Sequence, residues 1–396
     1  MRIHTVAFTC AATVAATAWI AAQQPQGRAA GGGQGGNATT NPDGSLRPAR
    51  AVTGLFTQDA YTEYALLEPG SESFRIKYLP EQTRAGSTEL SNQTRGGSEG
   101  SGIEVYDPRT GKPLKFTYTA DDPADPETHT IHAVLPMPVP QGGIGRVLIY
   151  KTYKDARTYM MSGEDIVWVR SLEGYRLGVI LPKGFAFLSS DVAAQMTTTA
   201  DGRLKLAFAN PSGKANPVTI RARKTTAVFT PSPFTDMFFD DIKTLYDVDD
   251  TGAIKVTETY SDYRKGASAT LDSLSYLPLA DLQVIDLDTA KALVPVRTGA
   301  TMSVKLDVPI TDDQQSAHLK LTGTIKDASV KIAGSDFAFE RTLHGLRNTV
   351  LLPAGWDVSG VSESCTIGQS QNRAFVACIN LNAADNYKVT IRARKK

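Results

Sequence analysis

Apolar and polar positions alternate with a period of two over most of this chain. Phe74-Arg75-Ile76-Lys77-Tyr78 is such a run, and Arg146–Tyr153 and Ile166–Arg170 are β-rich in the same way. Val105 to Leu114 reads as strand, turn, strand, with Thr110-Gly111 at the tight point. Asp201-Gly202 separates Val192–Thr199 from Arg203–Ala209, a hairpin signal. No long stretch keeps the 3.6-residue apolar period of a helix. The pattern predicts an all-β chain of short antiparallel strands, about ten per repeated unit, folded as sandwiches. One large sandwich per unit and two small lobes per unit fit it equally well.

The pattern also repeats. Val218-Thr219-Ile220-Arg221-Ala222-Arg223-Lys224 recurs as Val389-Thr390-Ile391-Arg392-Ala393-Arg394-Lys395, an offset of 171. At that offset Leu181-Pro182 meets Leu352-Pro353, and Arg170, Gly174 and Arg176 meet Arg341, Gly345 and Arg347. With small gaps, Lys154-Asp155 meets Lys326-Asp327, Val105 and Asp107 meet Val284 and Asp286, and Phe74 and Ile76 meet Ile254 and Val256. Two tandem homologous units are therefore expected, 57–224 and 238–396, joined by 225–237. The shared arginines read as a solvated outer face, and Phe229, Phe234, Phe238 and Phe239 as packing at the seam between the units.

The first fifty residues break the pattern. Met1-Arg2-Ile3-His4 followed by the apolar, small-residue run to Ala22 reads as a signal peptide, 1–22. Residues 23–56 are Gly/Gln-rich and read as a flexible tether. No later apolar stretch is long enough to span a bilayer. Lys and Arg number 42 against 41 Asp and Glu, a balance that offers no electrostatic case for nucleic acid. The destination expected is the periplasm, the cell surface or the medium.

Once Cys10 has left with the signal peptide, Cys365 and Cys378 remain. At the repeat offset they fall on Ala194 and Ala207, either side of the Asp201-Gly202 turn, so the two should face each other across a hairpin and form a disulfide.

Candidate chemistry is sparse. Gly96-Gly97-Ser98-Glu99-Gly100 matches the G-x-S-x-G elbow but lacks the buried strand and helix that give that motif its geometry, so it reads as a polar loop. There is no H-E-x-x-H. His129 and His132 are three apart, a spacing that separates them on a strand, and His318 and His344 stand alone. Asp247, Asp249, Thr251, Gly252, Ile254 and Glu258 occupy positions 1, 3, 5, 6, 8 and 12 of an EF-type loop, so calcium is the candidate cofactor, with Asp247, Asp249, Thr251 and Glu258 as ligands. Against it, the repeat aligns Ile254–Tyr260 with the strand Phe74–Tyr78, which makes the stretch an Asp-rich β-turn.

Leu67-Glu68-Pro69 with Phe74-Arg75-Ile76, then Glu104-Val105-Tyr106-Asp107 with Thr110-Gly111-Lys112-Pro113-Leu114, resembles uncharacterised secreted bacterial proteins of unknown function, which implies no activity. In size and strand content each unit is also similar to the β-rich N-terminal domain of M1-type metallopeptidases. The zinc helix of that family is absent here, so the resemblance carries over no peptidase role. The expectation is a non-catalytic binding or structural protein with a protein or glycan partner at the cell envelope. The alternative is a secreted hydrolase or carbohydrate-active protein with a site assembled from scattered carboxylates.

Overall fold

The structure, a computed structural model, describes residues 59–396 apart from 95–97, 121–123, 125–126, 173, 211–215, 233–237, 265–267, 273–278, 300, 326 and 381–386. The expected signal peptide and tether, Cys10, Phe234 and the glycines of the elbow-like motif at 96 and 97 lie outside the described residues. All regular structure within them is β. Among them no helix is long and apolar enough to cross a membrane.

The first half is built on a seven-stranded sheet in the order β14 (Gln195–Thr198), β15 (Leu204–Ala209), β12 (Arg176–Ile180), β1 (Tyr61–Leu66), β2 (Ser73–Leu79), β9 (Leu148–Lys154), β5 (Glu99–Tyr106). A four-stranded sheet covers one end of it: β10 (Tyr159–Ser162), β11 (Asp165–Leu172), β16 (Asn216–Lys224), β13 (Phe185–Ser190). A three-stranded sheet covers the other: β4 (Glu89–Gln93), β7 (Thr130–Val134), β6 (Phe116–Thr119). The short pair β3 (Glu81–Gln82) and β8 (Gly145–Arg146) extends β2 and β9.

The second half runs through the same order. Its large sheet is β21 (Lys291–Leu293), β20 (Ala280–Asp286), β24 (Ala317–Ile325), β18 (Ile254–Tyr263), β17 (Asp241–Val248), β27 (Arg347–Leu351), β30 (Arg373–Ile379), β29 (Cys365–Ser370). The covering sheets are β25 (Val330–Ala333), β26 (Asp336–Leu343), β31 (Tyr387–Lys395), β28 (Trp356–Val361), and β19 (Ser268–Asp272), β23 (Thr301–Ile310), β22 (Pro295–Thr298). Even a bulge recurs: pairing slips between Phe187 and Ser189 and, 171 residues on, between Val358 and Gly360.

Each half thus has two lobes that share one continuous large sheet. In the first half, Phe74, Trp168, Leu177, Phe208 and Ile220 fill the core under the four-stranded sheet, while Leu90, Val105, Ile131 and Ile149 fill the other. Tyr246, Ile254, Phe339, Trp356 and Ile391, and then Tyr260, Met302, Val304 and Leu321, do the same in the second half. Strands are more numerous than the pattern predicts, because many hold only two to four residues, too few to display an alternation.

Among the described residues pairing is antiparallel with two exceptions. β1 runs parallel to β12, with Tyr61 beside Arg176, and β17 runs parallel to β27, with Lys243 beside Arg347. Parallel alignment brings both strand beginnings to one end of the sheet, so the aspartate two residues before Tyr61 or Lys243 sits beside the arginine that opens the neighbouring strand. The sheets are otherwise antiparallel as expected, and both parallel pairs place an aspartate beside an arginine.

Cys365 and Cys378 are cross-strand partners with Cα atoms 4.5 Å apart and form a disulfide. The register corrects one correspondence. Met196 matches Ile367, but Leu206 matches Val376, because the loop of the first hairpin is one residue longer. Cys378 therefore stands where the first half has the buried Phe208, not Ala207. In the second half the turn is Gln371-Asn372, both in the left-handed region at φ 49° and 64°, as a two-residue hairpin of matched twist requires. Replacing both cysteines by serine should lower stability by about 3 kcal/mol for a closed loop of about fourteen residues, read by urea unfolding of the oxidised parent and the variant. Equal midpoints would mean that the bridge constrains nothing that the hairpin does not already fix.

Candidate functional site

The densest group of ionisable side chains lies between the halves. Asp59 and Asp241 hold equivalent positions, two residues before Tyr61 and Lys243. Arg176 donates from Nε to Asp59 Oδ1 at 2.9 Å, and Arg347 from Nε to Asp241 Oδ2 at 2.7 Å. Each arginine also reaches the other half's aspartate. Arg347 Nη2 bonds Asp59 Oδ2, and Arg176 Nε lies 4.0 Å from Asp241 Oδ2. All four side chains are buried.

Around this quartet Arg176 donates to Asp262 at 2.7 Å and to the carbonyls of Phe238 and Phe239 at 2.9 Å. Arg146 grips Asp288, donates to Asp262 Oδ1 at 2.9 Å and to Ser316 Oγ at 3.0 Å. Lys243 Nζ lies 3.7 Å from Asp59. Four aspartates thus face three arginines and one lysine. Burial raises the carboxyl of Asp59, but Arg176, Arg347 and Lys243 outweigh it and hold it well below the usual range. Asp262 is lowered in the same way against burial, by Arg176 and Arg146.

Glu81 and His318 complete the cluster. Burial, with Asp59 nearby, pushes Glu81 up to about 8, and burial beside Arg146 pushes His318 down to about 3. Their side chains are 3.4 Å apart, a separation that would suit an ion pair. The charges already balance without them, so the neutral forms are favoured: a protonated Glu81 against a neutral imidazole, with Glu81 Oε2 accepting from the Asp59 amide at 3.0 Å. An apolar layer of Tyr61, Leu79, Leu148, Phe238, Phe239 and Leu346 closes the seam. Phe238 and Phe239 sit there as the sequence suggests, while Phe229 packs on the core of the first half.

The sequence reading placed Arg176 and Arg347 on a solvated face, and the structure corrects this. The signal available was a charged residue opening an apolar strand at the same place in both halves, Arg176-Leu177-Gly178-Val179-Ile180 and Arg347-Asn348-Thr349-Val350-Leu351. Arg221, Arg223, Arg392 and Arg394 do face solvent; Arg223 pairs across strands with Asp165 at 2.6 Å.

The other candidate residues are scattered. Ser98 donates to Asp155 Oδ2 at 3.0 Å, and that carboxylate also accepts from Thr158 and Arg157. His129 stacks on Tyr118, and His132 Nδ1 lies 3.1 Å from Ser91 Oγ. Asp247 is bonded by Arg373 at 2.6 Å. Asp249 Oδ1 accepts from the amides of Thr251 and Ala253 and from the Thr251 hydroxyl, the work of a turn aspartate. Glu258 is buried inside the sandwich on β18, where its oxygens accept from Tyr260 at 2.7 Å and Thr244 at 3.5 Å. The four candidate calcium ligands are thus not brought together, and no three His, Cys, Asp or Glu side chains among the described residues form a group that could hold a metal ion.

A buried amine on β9 carries no local signal in the sequence. Lys151 Nζ donates to Asn92 Oδ1 at 2.6 Å and lies over the Tyr153 ring, and burial lowers it to about 7. The second half has Gly323 at the corresponding place. The outer face of the second large sheet is concave, a cleft of about 870 Å³ lined by Asp247, Asp249, Asp281, Lys255, Lys320 and Arg373. Its polar groups are of both signs.

No family model and no curated protein matches this chain. Among solved structures, a variant of the M1 zinc metallopeptidase of Deinococcus radiodurans is similar over 42% of this chain and 41% of its own, at 12% identity and a TM-score of 0.30. A candidate protease of Parabacteroides distasonis is similar over 86% of this chain and 93% of its own, at 12% identity and a TM-score of 0.23. This chain spans under half of the M1 peptidase, and at such scores no functional residue is carried over.

Burial raises Glu258 from the ordinary carboxyl value to about 7. A raised carboxyl binds its proton more tightly folded than unfolded, so the stabilisation is complete below about pH 4.5 and is lost as pH rises through 7. Glu258→Gln keeps an acceptor for Tyr260 and removes the titration. Thermal melts from pH 5 to 9 should show the parent losing stability against the variant by an amount on the order of 3 kcal/mol. A constant difference across that range would contradict the assignment.

Proposed function

We propose that this chain is an exported, non-catalytic binding or structural protein of the periplasm or cell surface. In this reading two homologous β-sandwich units, 57–224 and 238–396, follow a signal peptide (1–22) and a flexible tether (23–56). The partner is a protein or glycan of the envelope. One observation carries the reading: the largest constellation of charged groups is sealed between the halves and neutralises itself, so it is closed to substrate. Enzymes instead gather convergent polar groups with perturbed pKa values where substrate can reach them.

Two further features support it. The outermost strands β14 and β29 expose large apolar side chains at corresponding positions, Met196 at 57% and Ile367 at 55%, and strand edges of this kind suit the pairing of an extended partner. The disulfide fits an oxidising destination. A hydrolase or carbohydrate-active reading stands second, favoured by the carboxylates of the cleft in the second half.

Purified protein should co-sediment saturably with envelope fragments and turn over no generic ester, peptide or glycoside. Turnover that disappears in Asp247→Asn or Asp281→Asn would establish the second reading. Turnover lost on mutating Ser98, His129 or His132 would place a catalytic site in the first half. Either result would sink the binding reading.

A further inference from the structure

The contacts across the seam come in reciprocal pairs. Ile144 donates its amide to the carbonyl of Leu287 at 2.8 Å, and Ser316 donates its amide to the carbonyl of Pro108 at 2.7 Å. Strand register makes Ile144 and Ser316 equivalent, since Tyr153 and Ile325 pair with the matching residues Phe74 and Ile254. The shared Val-x-Asp run, Val105-Tyr106-Asp107 and Val284-Ile285-Asp286, makes Pro108 equivalent to Leu287. One contact is therefore made twice, once from each side. The charge quartet obeys the same rule: Arg347 reaches Asp59 as Arg176 reaches toward Asp241. A contact in which residue i meets j while j meets i is the mark of a twofold, isologous interface.

The division of bonds points the same way. Within the quartet each arginine keeps the aspartate of its own half, Arg176 with Asp59 and Arg347 with Asp241, while Arg146 of the first half also holds Asp262 and Asp288 of the second. Within the quartet the cross-bonds add to pairs that already exist. Around the axis the residues have diverged, with Arg146 standing where the second half has His318 and Glu81 where it has Ser261, as two copies in one chain are free to do.

We propose that the seam is the twofold interface of an ancestral dimer enclosed in one chain, a surface whose partner is the sister unit, and that the 225–237 connection is not what holds the halves together. The proposal stands independently of the binding reading. The connection is open to a protease at Thr226–Val228, where Val228 is 94% exposed.

A protease recognition sequence inserted after Ala227 of the full chain allows the folded protein to be cut there. The cut protein should elute at the position of the uncut chain, with both fragments present on a denaturing gel, down to micromolar concentration. Separation of the fragments at that concentration would overturn the proposal. A second variant locates the contact. A side chain at Gly143 would bring its first carbon to 2.5 Å from the Leu287 carbonyl oxygen across the seam and 2.6 Å from Pro140 Cγ in its own half; the proline ring can shift but the backbone carbonyl cannot without moving the other half, so Gly143→Leu should wedge the seam. It should leave the uncut chain folded and weaken association of the cut halves at least tenfold. Association unchanged by Gly143→Leu would show that the halves meet elsewhere. If that variant does not fold, Gly143→Ala, which adds the same first carbon, is read in the same way at lower concentration.

Discussion

The structure depends on where two aspartates and two arginines are placed. A guanidinium or a carboxylate taken from water into a protein interior costs several kcal/mol unless its partners are close and well aligned. Asp59, Arg176, Asp241 and Arg347 meet that condition only if each leading strand runs parallel to its neighbour and the two halves meet at the ends where these strands begin. The exception to antiparallel pairing, the position of the seam and the burial of Phe238 and Phe239 all meet at that one arrangement. Neutrality then sets the state of the remaining groups. With four negative and four positive charges in balance, Glu81 holds its proton and His318 does without one.

Much of the fold was legible because strands of five or more residues carry a period of two, and because Gly and Pro recur at turns. Phe74–Tyr78, Ile166–Arg170 and the hairpins at Gly111 and Gly202 lie where the pattern puts them. The disulfide was legible for the same reason: a hairpin fixes which residues face each other. The two-residue and four-residue strands were not legible, since so short a run has no period. The buried charges were hidden by a general expectation. Charged residues are almost never fully buried unless paired, and a pairing between Asp59 and Arg347, 288 residues apart, leaves no local trace. Glu258 shows the opposite hazard. Its spacing from Asp247 matches a calcium loop, but on β18 it points into the sandwich, away from a turn whose aspartate is already occupied by backbone amides.

For function, the arrangement directs attention to surfaces rather than to a buried centre. Lys151 and Glu258 are titratable groups brought near neutrality, yet both are closed off inside the sandwich, between sheets. What the chain presents outward includes a pair of similar strand edges, a basic outer face on β16 and β31, and concave polar faces in the second half. A rigid seam would hold the two edges at one fixed spacing and orientation, and a partner with two matching elements would gain avidity from that without any new contact.

The central claim is that the buried quartet ties the halves into one body, and denaturant unfolding of Arg347→Met tests it most directly. Removing this guanidinium strips Asp241 of its main partner and Asp59 of one of its three cationic partners, so stability should fall by about 3–5 kcal/mol. The exposed cross-strand arginine serves as the control, and Arg223→Met should leave the unfolding midpoint where it was. Similar small effects from both substitutions would contradict the account, because the quartet would then contribute no more than a solvated surface pair.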